Sequence, residues 1–285
     1  MVQFPISEKL RKEACKHSAA LFLVKAQVNF RPSVEYRNGT ITFIRMNNIV
    51  YGVTCRHVIE ALRQKIKERN DPLLCFATLV SETYYMVDRF RFPLADDPYI
   101  GEPPDIAIQQ VRPGLCDSIG KVPIEIDVMR DVKDDELTHA LAVGFPEENV
   151  SECERDKFGG YKLGMSCVHA LAQIENRTPQ EFLMHSDLDI EPETINLSGM
   201  SGGPIFWSNG EDHHLVGIVK EGWPTKPESE HSSDTTIGGG NRIHIRGERF
   251  SCQKFKGWAS DLGLLEPVFS SAKPMNVNIS ISIDE

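Results

Sequence analysis

No run in this sequence approaches the roughly 20 consecutive apolar residues that a membrane-spanning helix requires. The first apolar run, Ala19 to Val24, stops at Lys25, and residues 1–17 are punctuated by Pro5, Glu8, Lys9, Arg11 and Lys12. That pattern lacks the core of a secretory leader, so the start reads as mature protein and the expected compartment is cytoplasmic. Basic charge is also in short supply. Lys and Arg number 31 against 41 Asp and Glu, a formal net charge of −10, which argues against general nucleic-acid binding. The seven cysteines are odd in number and form no C-x-x-C pair. In a chain without a leader they are expected to be reduced, and their spacing matches no zinc motif, so no metal is expected. Internal repeats and βαβ alternation are missing too.

What is present is a set of short strands. Thr40 to Ile44 alternates after the turn pair Asn38-Gly39, the pattern of a half-buried strand. Ile49 to Thr54, Leu73 to Val80, Ile106 to Val111, Leu137 to Val143, Leu163 to Ile174 and Leu215 to Val219 are further apolar or alternating runs between turn residues. Two helices stand out. Val58 to Arg69 carries Val58, Ile59, Leu62 and Ile66 on one face, and Phe250 to Leu262 carries Phe250, Trp258 and Leu262; core packing accounts for both stripes. Many short strands with little helix predict an all-β antiparallel sandwich or barrel pair. At 40% hydrophobic and 25% charged, the chain can bury a sizeable core. A division near residue 120, at Pro113-Gly114 to Pro123, would separate residues 1–120 from 121–285. The charge divides there as well: 16 basic against 13 acidic residues before it, 15 against 28 after it. Residues 224–240, ending in Gly238-Gly239-Gly240, read as a long polar loop.

Three strings carry chemistry. Gly199-Met200-Ser201-Gly202-Gly203-Pro204 frames a serine with glycines. Glycines allow the tight turn that exposes a nucleophilic hydroxyl, and they let flanking N–H groups converge on a developing oxyanion. A Gly-rich turn with no chemistry is the plainer alternative. The string also fits a hydrolase nucleophile elbow, but that elbow must enter a helix, whereas Pro204 and Ile205-Phe206-Trp207 read as a strand. Val53-Thr54-Cys55-Arg56-His57-Val58 puts a histidine where a strand meets a helix, a place suited to a general base at a cleft. His213 and His214 read as a turn before their strand, and His139 as structural. Pro104-Asp105-Ile106-Ala107-Ile108 sets a carboxylate at the head of an apolar strand. Such an acid can fix the tautomer of the base; Asp96 and Asp97 are rivals in a polar turn.

Together these strings, in the order His57, Asp105, Ser201, resemble the active-site motifs of trypsin/chymotrypsin-like serine peptidases over roughly residues 20–265. Ala142-Val143-Gly144-Phe145-Pro146 resembles a strand end common in the bacterial trypsin-like domains. The resemblance implies two antiparallel Greek-key β-barrels with a C-terminal helix, the first carrying His57 and Asp105 and the second Ser201. It implies a serine endopeptidase with a His57–Asp105–Ser201 triad and an oxyanion hole from the N–H groups of Gly199 and Ser201. The implied substrate pocket lies at Ile195, Asn196, Lys220, Glu221 and Gly222. The substrate is a protein or peptide, and no cofactor or membrane is required. Two departures stand out. Met200 replaces the acid that pairs with a cut N-terminus in the secreted enzymes, and Ile195 stands where trypsin carries the acid that selects Arg or Lys. A regulatory protein partner, or the substrate itself, is therefore expected to act on the serine segment, flanked by loop 224–240 and the acidic run Asp187, Asp189, Glu191 and Glu193. The other readings are a dormant protease-fold binding module and an esterase on the same scaffold.

Overall fold

A two-residue turn starts the architecture. Asn47 and Asn48 both take positive φ, 50° and 63°, as hairpin turns of the primed types require. They join the second and third strands of a sheet, so that Met46 pairs with Ile49 and Thr42 with Val53. In a computed structural model of the chain, the described residues are 6, 8–25, 39–69, 74–78, 84–85, 89–94, 102–146, 150–155, 161–188, 197–225 and 241–268. Helix α1 (Glu8–Glu13) leads through a 3-10 turn into β1 (Ser18–Lys25), followed by β2 (Gly39–Met46), β3 (Ile49–Thr54), α2 (Arg56–Arg69), β4 (Leu74–Thr78), β5 (Tyr84–Tyr85), β6 (Ala107–Gln110), α3 (Leu115–Ser118) and β7 (Ile124–Glu125). These strands make one sheet in the order β5-β4-β1-β2-β3-β6, with β7 beside β2. β7 lies past the division drawn near residue 120, yet it pairs with the first sheet at Ile44 and Arg45.

The second half holds β8 (His139–Gly144), β9 (Val150–Arg155), β10 (Tyr161–Met165), β11 (Val168–Arg177), β12 (Glu181–Leu188), β13 (Pro204–Ser208), β14 (His213–Thr225), β15 (Asn241–Arg249) and α4 (Cys252–Asp261). Six of these close an antiparallel barrel in the order β11-β12-β15-β14-β13-β8. The protein is thus mostly β, with one closed six-stranded barrel, a second sheet and a C-terminal helix. No helix among the described residues is long and apolar enough to cross a membrane.

Several sequence expectations need correction. The run Leu163 to Ile174 is two strands, because the chain leaves β10 at Ser166-Cys167 before β11 pairs with β8. His213 and His214 are strand, not turn: they pair with Ser208 and Trp207 across the β13–β14 hairpin. Phe250 and Leu262 lie just outside α4, whose buried face is Phe255, Trp258 and Ala259. Pro224 and Thr225 end β14, and loop residues 226–240 lie outside the described residues. The expectation that every thiol is reduced fails at Cys15 and Cys167, which form a disulfide across 152 residues of sequence. Cys55, Cys116 and Cys252 are free.

The first sheet's core takes in more than its own strands. Ile41, Phe43, Ile44, Tyr51 and Val53 are fully buried, and α2 adds Ile59 and Leu62 from the face its 3.6-residue spacing predicts. Helix α4 packs here too. Phe255 meets the Tyr51 ring edge-on at 5.1 Å, and the Tyr51 hydroxyl donates to the Leu264 carbonyl at 2.8 Å. A separate apolar cluster fills the barrel, with Phe182, Met184, Ile205, Ile245 and Met200 among its members.

Candidate active site

The serine turn is built at the seam between the two sheets. Gly199 and Gly202 have φ of 97° and 93°, values that glycine adopts without strain. A Cβ on Gly202 would stand 2.0 Å from the Thr40 carbonyl oxygen and 2.2 Å from Thr54 Oγ1, so only glycine fits. Thr40, at the start of β2, is the anchor of the turn. Its N–H donates to the Ser201 carbonyl at 2.8 Å, and its hydroxyl donates to the Gly199 carbonyl at 2.8 Å while accepting from the Phe145 N–H at 3.1 Å. Two residues further along the same strand, the Thr42 hydroxyl donates to the Gly202 carbonyl at 2.8 Å. The first sheet therefore holds the backbone of the second half's serine turn. Met200 is buried in the barrel, against Gly144, which explains an apolar residue inside this motif.

This bonding leaves two donors over. Met200, Gly202 and Gly203 donate their N–H groups to Leu197, Val219 and Met200 carbonyls. Among the described residues the N–H groups of Gly199 and Ser201 have no acceptor. Such groups flanking a nucleophile can take up negative charge on a substrate oxygen. The Ser201 hydroxyl donates to the Lys220 carbonyl at 2.9 Å.

His57 is the second residue of α2 and its side chain is half exposed. Its Nδ1 lies 2.6 Å from Asp105 Oδ2, and its backbone N–H donates to Oδ1 at 3.0 Å. The Arg56 N–H donates to the Asp105 carbonyl at 3.3 Å. Asp105 is mostly buried, with a side-chain exposure of 13%. With Nδ1 facing the carboxylate, Nε2 is left for another proton acceptor or donor. The structure thus brings His57 and Asp105 into direct contact. It also places the Ser201 turn against the end of β3, where Gly202 N–H and the Cys55 thiol share the Val219 carbonyl as acceptor, at 2.8 and 3.0 Å.

One side chain nearby, Glu248, went unread in the sequence, whereas Lys220 was expected in the substrate pocket. Glu248 of β15 is only 3% exposed; its Oε2 accepts from the Asp105 N–H at 3.4 Å. Burial pushes its carboxyl up to about 7, against the pull of the Asp105 N–H and Lys220. Lys220 is disfavoured as a cation by burial, but its ion pair with Glu181, with Glu248 and Asp105 close by, holds it above the usual lysine value. No local string marks Glu248, because a single Glu in a polar run is the commonest surface pattern.

Of the remaining pocket residues, Ile195 and Asn196 lie outside the described residues. Glu221 is engaged by Arg246 at 2.7 Å, and Gly222 sits so close to Leu197 that a Cβ would come within 2.9 Å of Leu197 Cδ1. His139 is buried and bonded through Nε2 to the Ser208 carbonyl at 3.0 Å. Among the described residues, two clusters have metal-ligating atoms in reach of one another: Cys15, Cys167 and His169, and Cys55, His57 and Asp105. In the first the sulfurs are bonded to each other. In the second, burial holds the Cys55 thiol well above its ordinary value, and a protonated thiol is a poor ligand. No family model matches the sequence, and no curated protein matches it.

Proposed function

We propose that this protein is a serine endopeptidase acting through His57, Asp105 and Ser201 by way of an acyl-enzyme. The observation that carries the reading is the contact of His57 Nδ1 with the mostly buried Asp105 carboxylate at 2.6 Å, together with a serine turn whose Gly199 and Ser201 N–H groups have no acceptor among the described residues. In the reaction, His57 Nε2 takes the Ser201 hydroxyl proton as Oγ attacks the peptide carbonyl. The N–H groups of Gly199 and Ser201 hold the oxyanion. The imidazolium then protonates the departing amine, and water, activated by the same base, releases the acid product. Asp105 keeps the proton on Nδ1 and offsets the imidazolium charge. This chemistry needs no cofactor. We further propose that the first sheet curls toward a second barrel of the chymotrypsin-like kind. In support, the chain that leaves β5 at one sheet edge reaches Arg91, which bridges Ile108 of β6 at the other.

One observation favours a second reading, a dormant protease-fold binding module. The Ser201 hydroxyl donates to Lys220, not to His57. Catalytic hydrogen bonds are often unmade without substrate. Two measurements decide between the readings: labelling by a fluorophosphonate, and turnover of an unfolded protein such as casein by the wild type and Ser201→Ala. The peptidase reading expects stoichiometric labelling at Ser201 and loss of at least about 10³-fold of the turnover in the variant, which keeps only oxyanion-hole catalysis. Equal turnover by both proteins overturns it.

A further inference from the structure

We infer that Glu248 is a positioning residue that ties the acid of the candidate triad to the barrel carrying the serine. The inference rests on the triad reading for its catalytic consequence, and on geometry alone for the tie itself. Asp105 is held at four points. Three partners come from one short stretch of chain: the N–H groups of Arg56 and His57 and the His57 ring. The fourth, from its own N–H to Glu248 Oε2, is a bond to the other sheet. Glu248 is well placed to be rigid. It stands opposite Ile218 of β14 and Glu181 of β12 in the barrel register, and it is almost fully buried. A buried carboxylate that accepts a backbone N–H makes a stronger bond than a neutral group does.

The consequence concerns two sheets that must keep a fixed distance. His57 at the start of α2 and Asp105 just before β6 are carried by the first sheet, and Ser201, in the turn before β13, by the barrel. Proton transfer between Oγ and Nε2 demands alignment within a fraction of an ångström, and a 1 Å displacement can cost on the order of 100-fold in rate. Thr40 and Thr42 secure the serine turn to β2; Glu248 secures the acid from the opposite direction. The groups that set its charge are Asp105 from the loop before β6, Lys220 on β14, Glu181 on β12 and Lys254 on α4, and its own charge in turn raises the Cys55 thiol just past β3. Lys220 and Lys254 favour the carboxylate; burial and Glu181 favour the acid. The tie therefore tightens as Glu248 ionises through about pH 7.

Three readouts on the full chain test this. Glu248→Ala removes the acceptor, and Glu248→Gln keeps an acceptor oxygen without charge or titration. In Glu248→Ala, kcat is expected to fall about tenfold or more with KM little changed, and Glu248→Gln is expected to restore most of it at pH 6. The ratio of wild-type to Glu248→Gln kcat is expected to rise with pH through about 7. Hydrogen exchange at the Asp105 amide is expected to quicken in Glu248→Ala, and it is measurable whether or not the chain hydrolyses anything. Wild-type kcat in Glu248→Ala, a flat ratio and an unchanged Asp105 amide overturn the inference and leave the triad standing. If Ser201 takes no fluorophosphonate label the triad reading falls, and the Asp105 amide alone decides the tie. Should Glu248→Ala fail to fold, the pH dependence of protection at the Asp105 amide, relative to its intrinsic exchange rate, in wild type and Glu248→Gln decides it: protection that rises through about pH 7 in the wild type only supports the tie, and parallel behaviour overturns it.

Discussion

Gly202 shows how little freedom the candidate site has at the scale of one residue. Its φ of 93° and the 2.0 Å approach of a would-be Cβ to the Thr40 oxygen combine two penalties, a disfavoured backbone region and a backbone clash. Gly202→Ala is expected to lose at least about 3 kcal/mol of stability. Urea denaturation checks it, and a loss under about 1 kcal/mol would mean that the turn relaxes away from β2. Glu248 makes the second residue-scale prediction. Its carboxyl is raised from 4.5 to about 7 on folding, so the folded state holds the proton more tightly than the unfolded one. The stability this contributes is full below about pH 4.5 and is lost as pH rises through about 7. Glu248→Gln should remove that loss. Relative to wild type it gains on the order of 2 kcal/mol between pH 4.5 and 8, read from denaturation curves at each pH.

Elements are where sequence pattern and structure agree most. β2, β3 and α2 form where alternation, a short apolar run and 3.6-residue spacing put them; α2 buries its apolar stripe, while β2 is buried on both faces. β1 and β15 were not expected as strands. The apolar run Ala19 to Val24 could serve equally as a buried helix segment, and the polar run 241–249 has few apolar residues to announce it. β15 is a strand because β12 and β14 pair with it on both sides. Helix α4 carries its own start signal: Ser251 accepts from the Lys254 N–H at 3.1 Å. Ser251→Ala should cost about 1 kcal/mol. Thermal unfolding measures this, and no change would mean that the packing of Phe255 and Trp258 alone holds the helix.

For the molecule as a whole, the disulfide is the longest covalent reach. Cys15 lies just before β1, and Cys167 just before β11, so the bond joins the first sheet to the barrel where these two strands begin. Closing 152 residues of chain restricts the unfolded state strongly, a gain of typically 2–4 kcal/mol. The double variant Cys15→Ser with Cys167→Ser, and the wild type under a dithiol reductant, should each lose about that much. Denaturation with and without reductant tests it, and coincident curves would show that the bond adds nothing.

The order of His57, Asp105 and Ser201, and the glycine frame around the serine, were legible in the sequence, because chemistry of this kind needs particular residue types at adjacent positions. The all-β character was legible too, in the many short apolar or alternating runs set between turn residues. Tertiary structure decided the rest: which thiols meet, that β7 returns to the first sheet, that Thr40 and Thr42 carry the serine turn, and that Glu248 reaches Asp105. These are contacts between residues 80 to 160 positions apart. No local pattern encodes them, because a buried carboxyl or hydroxyl looks like a surface one until folding supplies its partner.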